Sequence, residues 1–237
     1  TINAMALGFS KKDDFVSKLK IIDPFNSKKD LKNKIIRAVG KPEDRFSEDA
    51  LRMMRAVRFA VTLEPFKIWK IEEKTAKAIK KNAHLLNFIS KERIRDELMK
   101  IIMSPNGARG IEILRRMKLL AQIIPELEEG YGVTQNKHHT YTVWEHNLRS
   151  FTYAVKKNFN WHVRLAALLH DIAKPHTKKG EGPDSTFYGH DVVGARMTVQ
   201  ILSRLKFPKK DIEKIALLVR YHLFQSDPEK ITDSAVR

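Results

Sequence analysis

The chain has 237 residues, 42% of them hydrophobic and 31% charged, a globular rather than disordered composition that suits one large domain or two modest ones. It has no cysteine, which excludes disulfides and thiolate metal ligands; any transition-metal site must use histidine and carboxylate. Lysine and arginine number 45 against 28 acidic residues, and the net charge of +17 favours a polyanionic partner, nucleic acid before a membrane surface.

No apolar run reaches the ~18 residues of a membrane-spanning helix, and no charged segment followed by an apolar core marks a signal peptide. The expected location is therefore cytoplasmic, with no membrane partner. The chain opens on Thr1-Ile2-Asn3-Ala4-Met5-Ala6 without an initiator methionine. It stops at Thr232-Asp233-Ser234-Ala235-Val236-Arg237, which has a helix N-cap residue but no helix after it, so both ends read as cut.

Residues 1–46 read as mixed strand and turn. Ile21-Ile22-Asp23-Pro24-Phe25-Asn26 is a short apolar run closed by turn residues, and 35–40 is a second strand candidate ended by Gly40 and Pro42. From Ser47, a plausible N-cap, the pattern turns helical. The spacing predicts helices over 47–62, 69–84, 90–103, 107–117, 119–125, 141–157, 161–173, 191–206 and 209–224, with 174–189 a long polar loop. The fold class expected is mainly α, with a short α/β remnant at the start. Three parts are expected: 1–46, a helical neck and body over 47–130, and a helical bundle over 131–237.

Two constellations carry chemistry. The first is Glu48-Asp49-x-x-Arg52. On a helix Asp49, Arg52 and Arg55 form a slowly drifting stripe, while Met53, Met54, Ala56 and Val57 suit the core. A carboxylate beside a guanidinium offers acceptors next to a fork of donors, which can read a base edge. The plainer reading is an ion pair on a solvated face.

The surrounding words add to that. Asn3 and its neighbours, Ile22-Asp23-Pro24-Phe25, Asp30-Leu31-Lys32 and Ile35-Ile36-Arg37-Ala38-Val39-Gly40 resemble the end of the head domain of class II tRNA nucleotidyltransferases and bacterial poly(A) polymerases. Residues 45–60, Arg-Phe-Ser-Glu-Asp-Ala-Leu-Arg-Met-Met-Arg-Ala-Val-Arg-Phe-Ala, are similar to that family's neck helix, and 90–98 to its next motif. The resemblance implies that Asp49 and Arg52 select the incoming base, that Arg55 lies near nucleotide or primer, and that Asn3 is close to the nucleotide. It implies ATP and CTP as substrates, the 3′ end of an RNA, tRNA foremost, as partner, and Mg²⁺ held by a head domain. The Gly-Ser turn and Asp-x-Asp pair that would hold Mg²⁺ are absent from the sequence. A longer parent is therefore expected to add CMP or AMP to RNA 3′ ends, whether CCA, CC, A or poly(A), and this chain alone to be inactive in nucleotide transfer.

The second constellation is His146, His170-Asp171, His190 and His222. Apolar residues lie on every side of Leu165 to Ile172, so the His-Asp pair should be buried, which is costly unless something satisfies the charge. A divalent metal does so: Zn²⁺, Mn²⁺, Ni²⁺, Fe²⁺ or Co²⁺ all suit nitrogen and oxygen ligands. His222 shares the inward face of Ile212, Ile215, Ala216 and Val219. His146 has polar helical neighbours in Thr142 and Ser150. Each histidine alone could be an ordinary hydrogen-bonded one.

Together, with Leu-Leu-His-Asp-Ile-Ala-Lys-Pro and Phe-Tyr-Gly-His-Asp, they resemble the HD phosphohydrolase superfamily. That implies metal-assisted phosphoester hydrolysis, with Lys174 as a phosphate contact and Asp191 assisting His190. It also implies a last aspartate downstream, for which Asp227 and Asp233 are candidates within the chain. Two further readings stay open: a phosphohydrolase acting on 2′,3′-cyclic or terminal phosphates, and a non-catalytic RNA-binding module. Oligomeric state is not legible.

Overall fold

The computed structural model describes residues 3–8, 20–137 and 140–223, the Lys20 side chain excepted. It is mainly helical, as expected, and separates into two compact units, Thr1–Ile123 and Ile124–Arg237. The division falls before the boundary expected between 130 and 131, because the residues from Ile124 onward belong to the second unit's own framework. Within it the amides of Val143 and Trp144 reach back to the carbonyls of Val133 and Gly130, and the Tyr131 and Trp144 rings meet edge to face.

The first unit begins with β1 (Ala6–Gly8) paired antiparallel to β2 (Lys20–Ile22). Helix α1 (Ser27–Lys32) follows within a stretch read as turn. Its origin is Asp23, whose carboxylate accepts the amides of Ser27 at 2.7 Å and Lys28 at 2.9 Å while Asn26 turns through a positive φ of 57°. These bonds hold the Asp23 carboxyl below its ordinary pKa, the Lys28 amide contributing most. The second strand candidate shortens to β3 (Ile35–Ile36).

Helix α2 (Pro42–Glu48) starts at Pro42, whose missing amide costs nothing in a first turn, so Ser47 is not the N-cap expected but lies in that helix's last turn. The chain breaks at Asp49, in extended backbone, and resumes as α3 (Leu51–Thr62). The predicted helix 69–84 also starts late. Lys70–Ile71 forms β4, parallel to β3, and α4 (Glu73–Asn82) begins only where the Glu72 side chain accepts the Thr75 amide at 2.8 Å. A 3-10 turn over Ala83–Phe88 leads to α5 (Lys91–Ile102), α6 (Gly107–Arg116) and the short α7 (Leu120–Ile123). Met53, Met54 and Val57 of α3 are fully buried, as predicted, with Ile94, Leu98 and Ile101 of α5 and Leu114 of α6. Gly110 lets α5 and α6 close: a Cβ there would overlap the Ile101 Cγ2 methyl.

The second unit holds α8 (Pro125–Glu128), α9 (Val143–Lys156), α10 (Trp161–Leu169), α11 (Lys174–Thr177), α12 (His190–Arg204) and α13 (Lys209–Arg220). A capping box fixes the start of α9, with Thr142 and Glu145 bonding each other's backbone amides. Helix α10 packs on α9 and α13, and its Leu165, Leu168 and Leu169 are buried. It ends four residues earlier than predicted. His170 is its cap, and 170–173 form a tighter turn in which the amides of Ile172 and Lys174 reach back three residues, because Pro175 cannot donate into a continuing helix. The loop 174–189 is not featureless: it contains α11, a 3-10 turn over Gly182–Asp184 and an antiparallel bridge between Lys179 and Thr186. Gly189, at φ 74°, turns the chain into α12, a conformation glycine adopts without strain.

Candidate functional site

In the first unit the expected Asp49–Arg52 pair does not form. The helix break at Asp49 removes the common stripe. Asp49 instead caps the Leu51 amide at 3.1 Å and pairs with Arg93 at 2.8 Å. Arg52 pairs with Glu48 at 2.6 Å and donates to the Arg45 carbonyl, while Arg45 holds the same Glu48 at 2.9 Å. Hydrogen bonds from Arg52 first and Arg45 second hold the Glu48 carboxyl below its ordinary pKa.

Arg52 and Arg55 nevertheless face a common cleft of about 590 Å³ with Asn3, Arg37 and Arg45, over a floor that includes Phe25, Phe46 and Phe59. Asp49 is not among its lining residues. Arg58 turns away, stacked 4.1 Å from the Phe59 ring centroid and paired with buried Glu97 at 2.7 Å. Sequence reasoning missed Arg45, which holds Glu48 at i,i+3 spacing within α2, and Arg93, which reaches Asp49 from α5. For Arg93, no local spacing carries that signal.

The second unit brings together all five residues of the second constellation. Asp171 is the hub, 1% exposed. Its Oδ1 faces the Nε2 atoms of His190 at 3.3 Å and His222 at 3.5 Å; its Oδ2 faces those of His170 at 3.3 Å and His146 at 3.4 Å. Neither oxygen has a well-aligned hydrogen-bond donor.

Three rings are fixed from behind. The Nδ1 atoms of His170, His190 and His222 lie 2.9, 2.6 and 2.7 Å from the carbonyls of Ala167, Phe187 and Val219, each three residues earlier. A carbonyl only accepts, so Nδ1 carries the proton and Nε2 turns its lone pair inward. Lone pairs then confront each other at His190 and His222, whose Nε2 atoms are 3.3 Å apart; those of His146 and His170 are 3.0 Å apart, and the His146 tautomer decides the contact between them.

Two trios, His146–His170–Asp171 and Asp171–His190–His222, have ligand atoms close enough to share an ion. Buried carboxylate oxygens without a well-aligned donor, one of them ion-paired to Lys174, beside converging nitrogen lone pairs held by backbone acceptors, are a donor set that suits a divalent cation. Protons can stand in. Burial alone would raise the Asp171 pKa, but protonated imidazoles at His170, His190 and His222 would donate to it, and they hold it well below the carboxylate range. Burial lowers His222, yet Asp171 and the Val219 carbonyl outweigh it, and its pKa is raised.

Lys174, expected at a phosphate, is buried and engaged: its Nζ lies 2.8 Å from Asp171 Oδ2 and donates to Gln135 at 2.7 Å. Asp191 does not support His190; it pairs with Arg220. Of the other histidines, His162 pairs with Asp211 and His176 with Glu129, while His138 and His139 lie outside the described residues. The downstream candidates Asp227 and Asp233 also lie outside them. The capping pair Thr142-x-x-Glu145, legible in the sequence, fixes the register that turns His146 inward.

Known proteins match this arrangement in both units. Residues 69–130 match the family described as probable RNA and SrmB-binding site of polymerase A, and residues 143–236 match the HD domain. The chain is 37% identical to the A-adding tRNA nucleotidyltransferase of Deinococcus radiodurans over 235 residues, which are 95% of this chain and 51% of that protein. It is 33% identical to the CC-adding tRNA nucleotidyltransferase of Thermus thermophilus over 200 residues, 79% of this chain and 44% of that one. Among solved structures, the CCA-adding enzyme of Bacillus stearothermophilus in complex with CTP is similar with a TM-score of 0.52 and 26% identity, covering 91% of this chain and 45% of that one. The chain spans about half the length of the curated relatives it matches.

Proposed function

Since this chain belongs to the tRNA nucleotidyltransferase family with an HD domain, we propose that the protein containing it adds CMP or AMP from CTP or ATP to the 3′ end of tRNA. The observation that carries this reading is the relatedness to nucleotide-adding enzymes along 95% of the chain. The cleft fits the role. Arg37, Arg45, Arg52 and Arg55 surround it, and guanidinium forks match both phosphate and base-edge acceptors. Asp49, held by Arg93 at the rim of the helix break, supplies an acceptor once a base enters. The segment 69–130 binds the RNA, and 131–237 forms the HD module. Mg²⁺ belongs to carboxylates of the parent's head, and the protein works in the cytoplasm.

The test is tailing of a tRNA that lacks its 3′-terminal CCA, with CTP and ATP, by the longest natural form of the protein. Labelled nucleotide must enter the tRNA, and Arg52→Ala must reduce incorporation. No incorporation by the unaltered long form rejects the reading. The 237-residue chain alone is expected to bind CTP without transferring it.

A second activity is favoured by one observation: buried Asp171 has no well-aligned donor for either oxygen and four imidazoles around it. His146, His170, Asp171, His190 and His222 would hold one or two divalent transition ions. When bound, such an ion polarises a phosphoester and lowers the pKa of water. The residues themselves orient it: the backbone carbonyls fix the rings, and Lys174 balances the Asp171 charge. Hydrolysis of bis-p-nitrophenyl phosphate or 2′,3′-cyclic AMP with Ni²⁺ or Mn²⁺, lost in His170→Ala, is the expected result. Its absence with every one of the five metals would leave the unit as an RNA-binding body.

A further inference from the structure

Two openings meet at the histidine cluster. One is the cavity of about 330 Å³ that contains Asp171 and Lys174. The other is a wider groove of about 790 Å³, and His146, His170 and His222 line both. A phosphate held at the cluster must therefore send its organic part into one of them, and the groove is the larger.

The groove's walls are apolar and aromatic. Tyr141, Tyr153 and Phe159 line it while 41%, 58% and 44% exposed. Exposed aromatic rings beside a reactive centre bury apolar area when a planar group enters. A sugar phosphate or inorganic phosphate would gain nothing from them.

Cations accompany the rings. The Arg149 guanidinium lies 3.8 Å from the Tyr141 ring centroid and donates to its hydroxyl at 2.6 Å, and Lys157 Nζ lies 5.7 Å from the Tyr153 ring. His146, Arg149 and Tyr153 of α9 and its C-cap residue Lys157 follow each other at helical spacing, so one helix face runs from the cluster through a stacking ring to a positive end. Alternating aromatic and basic groups along a groove are the means by which single strands are held without reading their sequence.

We propose that this groove is the nucleoside subsite of the HD centre, with Tyr153 stacking on the base next to the phosphate at the cluster and Arg149 and Lys157 facing the phosphates beyond it. The substrate class is then a base-bearing phosphoester, either a strand end or a free nucleotide. The inference rests on the hydrolase reading above.

Titration calorimetry with adenosine 3′-monophosphate on the full chain tests it apart from activity. A stacked base is worth about 1–3 kcal/mol, so Tyr153→Ala should raise Kd about tenfold and Tyr153→Phe should restore it. The KM for 2′,3′-cyclic AMP should rise in parallel with kcat held, while hydrolysis of glycerol 2-phosphate, which has no base, does not respond. Both sources of ligand support the subsite and separate on Lys157→Ala: a strand end is assigned if only an oligoribonucleotide with the same terminal phosphate weakens, a free nucleotide if it does not. Unchanged Kd in Tyr153→Ala, or an equal rise in KM for glycerol 2-phosphate, overturns the proposal. Nucleotide binding that depends on Tyr153 in a protein without any hydrolysis overturns the hydrolase reading and leaves the subsite standing.

Discussion

The two units hold charge in opposite ways. In the first, Arg45, Arg52, Glu48, Asp49 and Arg93 lie at the surface and satisfy one another. In the second, Asp171 is buried among imidazoles, three of which turn lone pairs toward it, and those of His190 and His222 toward each other. The first arrangement is content when empty, so a ligand must compete with existing ion pairs, each of small worth in water. The second leaves acceptors facing acceptors, so it binds protons or a cation as a condition of being well packed. One site is selective because it can be displaced; the other is committed.

The strongest test of that contrast is Asp171→Ala. It removes the one carboxylate shared by both histidine trios, and bound metal measured by mass spectrometry should fall to background. Hydrolysis should drop by more than the ~100-fold typical of losing a group that merely supports a ligand. Stoichiometric metal in this variant would break the comparison.

Next is the effect of metal on stability. An ion at about 100 times its Kd should stabilise the second unit by about 2.7 kcal/mol and leave the first unit's transition in place. The effect depends on pH. The His222 pKa is raised, so its proton persists above the usual imidazole range and must leave when metal binds. Metal affinity should rise with pH through and above that range and fall below it. Without metal the sign reverses: the stability from protonated His222 is complete below the ordinary imidazole pKa and is lost as pH rises through the elevated one. Calorimetric melting with and without Zn²⁺ across that range checks both arms.

Packing gives a smaller contrast. Gly110→Ala forces a methyl into the Ile101 side chain and should cost about 1–3 kcal/mol in the first unit. Gly194→Ala in α12 meets its nearest neighbour, Val219 Cγ1, at an ordinary 3.5 Å and should be nearly neutral. Equal losses in denaturant melts would mean that the α5–α6 approach is no tighter than the one at α12.

The smallest effect on stability should come from Arg52→Ala, since its partners are exposed. Its effect on ligand should still be clear, with CTP binding weakened about tenfold, the scale of one charge-assisted hydrogen bond. Arg52→Lys should not recover it, because an ammonium lacks the fork. A drop in melting temperature without a change in CTP affinity would make Arg52 a structural residue.

Sequence periodicity carried the second unit well. The inward face of Ile212, Ile215, Ala216 and Val219 placed His222, and the apolar surroundings of Leu165 to Ile172 placed the His-Asp pair in the core. It failed where long-range pairing overrides local pattern. Lys70–Ile71 looks helical by spacing but is drawn into a strand by β3. The helix break at Asp49 is set by backbone geometry that no side-chain spacing reports, and it moved Asp49 from Arg52 to Arg93. Lys174 was legible as a cation at the site, but its partner Gln135 lies 39 positions away in the chain.

The carbonyl that each of His170, His190 and His222 meets three residues behind it has one further consequence. A ring tied to its own backbone cannot swivel to suit an ion; it travels only with its segment. The bore of a metal site built from these rings would therefore adjust like an iris, by small displacements of whole helices, and preference among ions of different radius would lie in the α10, α12 and α13 contacts. A change of volume in that packing, such as Val219→Ala, should retune which metal is held while every ligand residue is kept.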